Sequence, residues 1–135
     1  MPFVVQAKIT DIDITDNPLV FYVYPENLDK TGGSEFTTRL RKNADQCLPL
    51  VIKQKGFKTK DSFWLDSDFD FARKHFVDTQ DRIKVLMNKH EATVVFSLDN
   101  LYTEIDEILK YSPLFHKFYI DQIEFMRDRW KPRAV

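Results

Sequence analysis

The sequence predicts one α+β domain: an N-terminal β-hairpin within a small mixed or antiparallel sheet, and about four helices packed mainly on one face. Three observations carry that expectation. The first third alternates short apolar runs with turn residues. The second half repeats apolar residues at helical three- and four-residue steps. The whole length of 135 residues suits a single core, so residues 1–135 are read as one domain.

Taken in order, Phe3, Val5, Ala7 and Ile9 alternate with polar neighbours, and the phase then shifts to Ile12 and Ile14. A strand with a bulge near Thr10-Asp11 satisfies both halves. Asp16-Asn17-Pro18 is turn chemistry, and Leu19 to Tyr24 is a continuous apolar strand stopped at Pro25, which completes the expected hairpin. Gly32-Gly33 breaks the chain, and Ser34 caps a helix whose stripe is Phe36, Leu40, Ala44, Cys47 and Leu48, ended by Pro49. Strand structure is expected around Lys53 to Lys60. Ser67 and Asp70 open a helix carrying Phe69, Ala72, Phe76, Ile83, Leu86 and His90, running to about Lys89. Ala92 to Leu98 reads as a buried strand. Asp99 caps a helix presenting Leu101, Ile105, Ile108 and Leu109. Ser112-Pro113 starts the last helix, with proline at the first helical position and Phe115, Tyr119, Ile123, Met126 and Trp130 on its inner face.

Composition narrows the class. Apolar residues make up 43% and charged residues 30%, which excludes a disordered chain, while 14% aromatics give a short chain large rings with which to fill a core. The net charge of −1 supplies no global field toward nucleic acid or membrane. Neither a signal-like leader nor a membrane-spanning run is expected, and the single cysteine has no disulfide partner. The expected setting is intracellular, cytoplasmic or nuclear.

Motifs for chemistry are sparse. Asp66, Asp68 and Asp70 alternate as in a calcium loop, but Phe71 and Val77 stand where such a loop needs glycine and glutamate. Capping of helix starts explains these aspartates. Cys47 on an apolar stripe reads as a buried hydrophobe, and His75, His90 and His116 lack metal-ligand spacing. No metal or other cofactor is therefore expected. Thr31-Gly32-Gly33-Ser34 ahead of Arg39, Arg41 and Lys42 has the ingredients of an anion site, without the spacing of a phosphate-binding loop.

Positive charge is bunched. Arg39, Arg41, Lys53, Lys55, Lys58 and Lys60 surround Phe57, and Arg127, Arg129 and Lys131 surround Trp130. Basic side chains interleaved with stacking rings are what single-stranded nucleic acid binds.

The opening VQAKITDIDITDNPLVFYVYP, about residues 4–24, resembles the first hairpin of extended Tudor domains through Ile9, Ile12, Pro18, Phe21, Tyr22 and Val23. That resemblance implies a relative that binds a peptide or another subunit. The remainder departs from the family: the Trp-Tyr-Arg-Ala-like strand and Asp-x-Gly-Asn-like turn do not occur, so no methyl-ligand cage residue carries over.

Since no catalytic frame is legible, the sequence points to a non-catalytic module that binds another protein, with a homodimer left open. Its expected exposed anchors are Tyr22, Tyr24, Phe57, Trp64, Phe118 and Trp130, because tyrosine and tryptophan dominate binding hot spots. The alternative is RNA or single-stranded DNA held by the basic segment 53–60 and the C-terminal tail. A third reading is a small enzyme or nucleotide binder using the Gly32-Gly33 loop.

Overall fold

In a computed structural model, described over residues 3–6, 20–32, 35–43, 45–56, 59–89, 92–97, 101–102 and 104–130, the strands form one four-stranded sheet. They are β1 (Phe3–Gln6), β2 (Val20–Asn27), β3 (Cys47–Lys53) and β4 (Thr93–Ser97). The helices are α1 (Glu35–Arg41), α2 (Phe69–Lys89), α3 (Ile105–Tyr111) and α4 (Pro113–Trp130), with short 3-10 turns at Lys60–Ser62 and Asp66–Asp68.

The strand order is β1-β4-β2-β3, and every pairing is parallel. This corrects the expected antiparallel hairpin: β4 lies between β1 and β2, so the first two strands are not hydrogen-bonded to each other. The expected bulge at Thr10-Asp11 and turn at Asp16-Asn17-Pro18 lie outside the described residues. The physical signal was present in the wrong light. Unbroken apolar runs such as Phe21-Tyr22-Val23-Tyr24 and Leu48 to Ile52 mark strands covered on both faces, which is the habit of parallel sheets.

Both faces are indeed covered, unequally. Val23, Leu48, Leu50, Ile52, Val94 and Phe96 meet α2, α3 and α4 in the main core. Tyr22, Tyr24, Cys47 and Val95 meet Leu40 of α1 in a smaller cluster on the opposite face. Alternation along β2 and β4 sends neighbours to opposite sides, so one strand feeds both cores.

Cys47 and Leu48 were expected on a helix and instead open β3. Helix α1 stops at Arg41, and Pro49 sits inside the strand. It is tolerated there because β3 is an edge strand. That edge is not bare: Thr79 Oγ1 of α2 donates to the Pro49 carbonyl at 2.8 Å. The strand expected over Lys53 to Lys60 ends at Lys53, followed by bends and a 3-10 turn.

The C-terminal half keeps the predicted pattern. Ala72, Phe76 and Ile83 of α2 and Phe115, Tyr119, Ile123 and Met126 of α4 are fully buried. Their rings interlock: Phe76 meets Phe118 at 5.2 Å and Tyr119 at 5.9 Å, both edge-on. Two of the three aspartates, Asp66 and Asp68, act as caps. Asp68 accepts from the Leu65 amide at 3.0 Å, while Asp66 accepts from Ser112 Oγ and the Leu114 amide at the start of α4. Ser112 Oγ in turn accepts from the Phe115 amide at 3.2 Å. Leu109, expected to face inward, is 47% exposed. Among the described residues, no helix is long and apolar enough to cross a membrane.

Candidate functional site

The face covered by α1 carries the polar chemistry. Glu26, near the end of β2, has a side chain with no exposed surface. Four donors converge on its two oxygens. Oε2 accepts from Tyr24 OH at 3.0 Å and Arg41 Nε at 2.8 Å; Oε1 accepts from the Asn27 amide at 2.8 Å and Arg41 Nη2 at 2.5 Å. The two-pronged Arg41 contact fixes that guanidinium in one orientation. It also pushes the proton affinity of Arg41 further up, through the Glu26 hydrogen bond above all. Burial, then the Glu26 charge, pushes the Tyr24 hydroxyl well above its usual range.

Beside this network lies a cavity of about 280 Å³ lined by Tyr24, Lys30, Arg41, Cys47, Pro49 and Arg82. Each wall comes from a different element. Tyr24 projects from β2, Cys47 and Pro49 from β3, and Arg41 from the last turn of α1. Arg82 comes from α2, three residues beyond the Thr79 contact with the β3 edge. Burial pushes the Cys47 thiol up to about 11, so it is a protonated wall group at neutral pH.

Lys30 is set by the loop that follows β2. Leu28 and Asp29 amides continue the ladder onto the Lys53 and Gln54 carbonyls at 2.9 and 3.1 Å. The Lys30 amide then turns back to the Asn27 carbonyl, and Asn27 Nδ2 reaches the Thr31 carbonyl at 2.6 Å. Gly32, at φ +56, lies so close to Gly56 that a Cβ on Gly56 would overlap the Thr31 carbonyl. Two glycines thus let the loops after β2 and β3 touch and hold the Lys30 turn in place.

The expected aromatic anchors fare differently. Tyr22, Tyr24 and Trp64 are 4%, 4% and 2% exposed, so the expectation of exposed rings is corrected: all three are packed inside. Phe118 is half-buried against Phe69, Phe76 and Phe115. Phe57 and the side chain of Trp130 lie outside the described residues. Among the described residues, the large apolar side chains that face solvent are Phe71, Val85, Leu109, Leu114 and Phe125.

The described members of the two basic clusters sit in different surroundings. Lys53 is 3% exposed, bonded to Glu104 at 2.7 Å and seated over the Phe63 ring. Arg41 is committed to Glu26, and Arg127 pairs with Asp128. Arg39 is half-buried, Lys55, Lys60 and Arg129 are exposed, and Lys58 and Lys131 lie outside the described residues. Among the described residues, no group of acidic, histidine and cysteine side chains is arranged to hold a metal ion. Sequence reasoning missed Lys30, Glu26 and Arg82. Arg82 carried no signal, since a helix arginine beside an edge strand looks like any surface arginine. A carboxylate amid the apolar run of β2 was the one legible hint.

The fold and the cavity together define a parallel-sheet domain with helices on both faces and a cation-lined pocket on the lighter one. Residues 4–122 match the family described as Family of unknown function (DUF7831), and the chain belongs to that family. No curated protein and no solved structure matches the chain.

Proposed function

We propose that the chain is a ligand-binding domain whose cavity between α1, the β2–β3 pair and α2 takes a small anionic molecule. The supporting observation is the convergence of Lys30, Arg41 and Arg82, from three separate elements, on one cavity of about 280 Å³. Cations from distant parts of the chain repel one another; Arg41 is paired with Glu26, and bringing Lys30 and Arg82 to the same cavity is favoured when a further anion sits among them. A low-lying polar network that holds one of them rigid supports the same reading, because a preset donor loses little freedom on binding.

Thermal unfolding of the intact chain at constant ionic strength tests it. Inorganic phosphate at millimolar concentration should raise the midpoint above that in chloride, since a ligand bound only by the folded state stabilises it. Replacement of Arg82 by glutamine should remove that rise. Equal midpoints in phosphate and chloride would sink the reading.

A second reading is a module that binds another protein. Its support is the exposure of Phe71, Leu109, Leu114 and Phe125 on the outer helices, at about half their surface each. Pairwise replacement of these residues by serine should leave the fold intact and abolish capture of a stoichiometric partner; unaltered capture would exclude them as the docking surface.

A further inference from the structure

The charges around the cavity narrow the class of ligand. Arg41 is matched by Glu26, whose carboxylate accepts two of its N–H groups. The Asp29 carboxylate accepts from the Thr31 amide at 3.1 Å and the Thr31 hydroxyl at 2.8 Å, and its charge, with that of Glu26, falls on Arg41. Asp81 lines a neighbouring groove of about 320 Å³ with Phe21, Arg82, Val85 and Leu86. Lys30 and Arg82 are left: neither makes an ion pair among the described residues. They reach the cavity from different parts of the chain, one on the loop after β2 and one on α2.

We infer that the cavity selects a doubly charged phosphoryl head group, a phosphate monoester, over singly charged carboxylates and phosphodiesters, with Lys30 and Arg82 as the two clamping cations. The inference rests on the anion-binding reading above. Two uncompensated cations balance a dianion and leave a surplus positive charge beside a monoanion. Arg82, with the Arg41 guanidinium that also lines the cavity, suits the tetrahedral oxygens of a phosphoryl group, and Lys30 adds a point charge. At about 280 Å³ the cavity sits at the small end of ligand pockets, enough for a head group and one ring and too small for a dinucleotide.

Lys30 carries an independent mark. Its backbone is left-handed, at φ +56, where a side chain with a Cβ is strained. The turn would be better served by glycine or asparagine. A lysine brings nothing to the turn itself, whereas its ammonium brings charge to the cavity mouth. Strained residues of this kind collect at ligand sites, and here the strained residue lines one.

The test is calorimetric titration of the intact chain at constant ionic strength, at about pH 8, well above the second phosphate ionisation near about 6. The probes are phenyl phosphate, its monoanionic methyl ester and benzoate. Phenyl phosphate should bind about tenfold or more tightly than either other probe. Lys30→Asn, which tolerates the left-handed turn, and Arg82→Gln should each weaken phenyl phosphate by about tenfold or more, with circular dichroism and unfolding midpoint preserved. Equal affinity for the monoester and its methyl ester would overturn the dianion assignment while leaving an anion site. Wild-type affinity in both variants would overturn the clamp. Binding of none of the three probes would remove the anion-binding reading as well.

Discussion

The two faces of the sheet are built on different principles. One is dry: β-strand aliphatics meet the interlocked rings of α2 and α4, and Phe76, Phe96, Phe115 and Tyr119 are fully buried. Over the other, the described residues place one short helix, a buried carboxylate braced by Arg41 and Tyr24, and an open cavity. The same strands supply both, so the difference lies in what each face is covered by. A closely packed face resists any change of volume, whereas a face with a cavity and fixed charges is free to receive something. Stability resides mainly on the first face and recognition is proposed for the second.

Replacing Phe76 by alanine should give the largest effect. The ring touches Phe118 and Tyr119 and is wholly buried, so its loss should cost about 3–5 kcal/mol in urea unfolding. Replacing Cys47 by alanine on the opposite face should cost about 1 kcal/mol, since it removes one small group beside an existing cavity. Similar losses at both positions would erase the distinction between the faces.

Glu26→Gln sharpens it from the other side. Glutamine keeps the shape but offers one acceptor oxygen where four donors converge on two. Because Arg41 keeps 21% of its side-chain surface in water, the penalty is smaller than for a sealed ion pair, about 2 kcal/mol. Denaturant unfolding measures it, and a loss below that of Cys47→Ala would show that the network adds little to the fold.

Alkaline titration reaches the lighter face through Cys47. The folded-state pKa of Cys47 is raised by burial from 9.0 to about 11, so the unfolded chain releases its thiol proton first. Stability contributed by the neutral thiol is therefore complete below pH 9 and lost as pH rises toward 11, at no more than about 1.4 kcal/mol per pH unit. Tyr24, raised further by burial and by Glu26, acts in the same direction at higher pH. Unfolding midpoints of wild type and Cys47→Ala, followed from neutral pH to pH 11, should diverge in that slope, the variant being flatter.

How much of this was legible depends on the kind of signal. Helices α2 and α4 announced themselves through long stripes, a serine cap and Pro113, because a one-sided helix writes its burial in its own sequence. Strand β3 did not: Cys47-Leu48-Pro49 extends the stripe of α1 in helical step, and only pairing with Tyr22, Val23 and Tyr24 claims those residues for the sheet. Parallel pairing was hidden for the same reason, since strand order is set by partners far along the chain. The cavity was hidden more deeply still. Lys30, Arg41 and Arg82 share no spacing, and Arg41 was visible only as part of a basic run.

The smallest predicted effect has the opposite sign. At φ +56 a lysine Cβ is strained, and Lys30→Gly relieves that while giving the unfolded chain more freedom. The strain, about 1–2 kcal/mol, exceeds the added entropy cost of glycine, roughly 0.5–1 kcal/mol, so stability should rise by about 0.5 kcal/mol. The surrounding turn does not depend on the side chain, since its bonds run from the Lys30 amide to Asn27 and from Asn27 to Thr31. Urea unfolding should therefore show a slightly later midpoint with an unchanged slope. A variant that folds better and binds the phosphoryl probe worse is the signature of a residue held in an unfavourable backbone for its charge. A loss of stability would instead place the lysine among the supports of the loop and leave Arg82 to carry the anion.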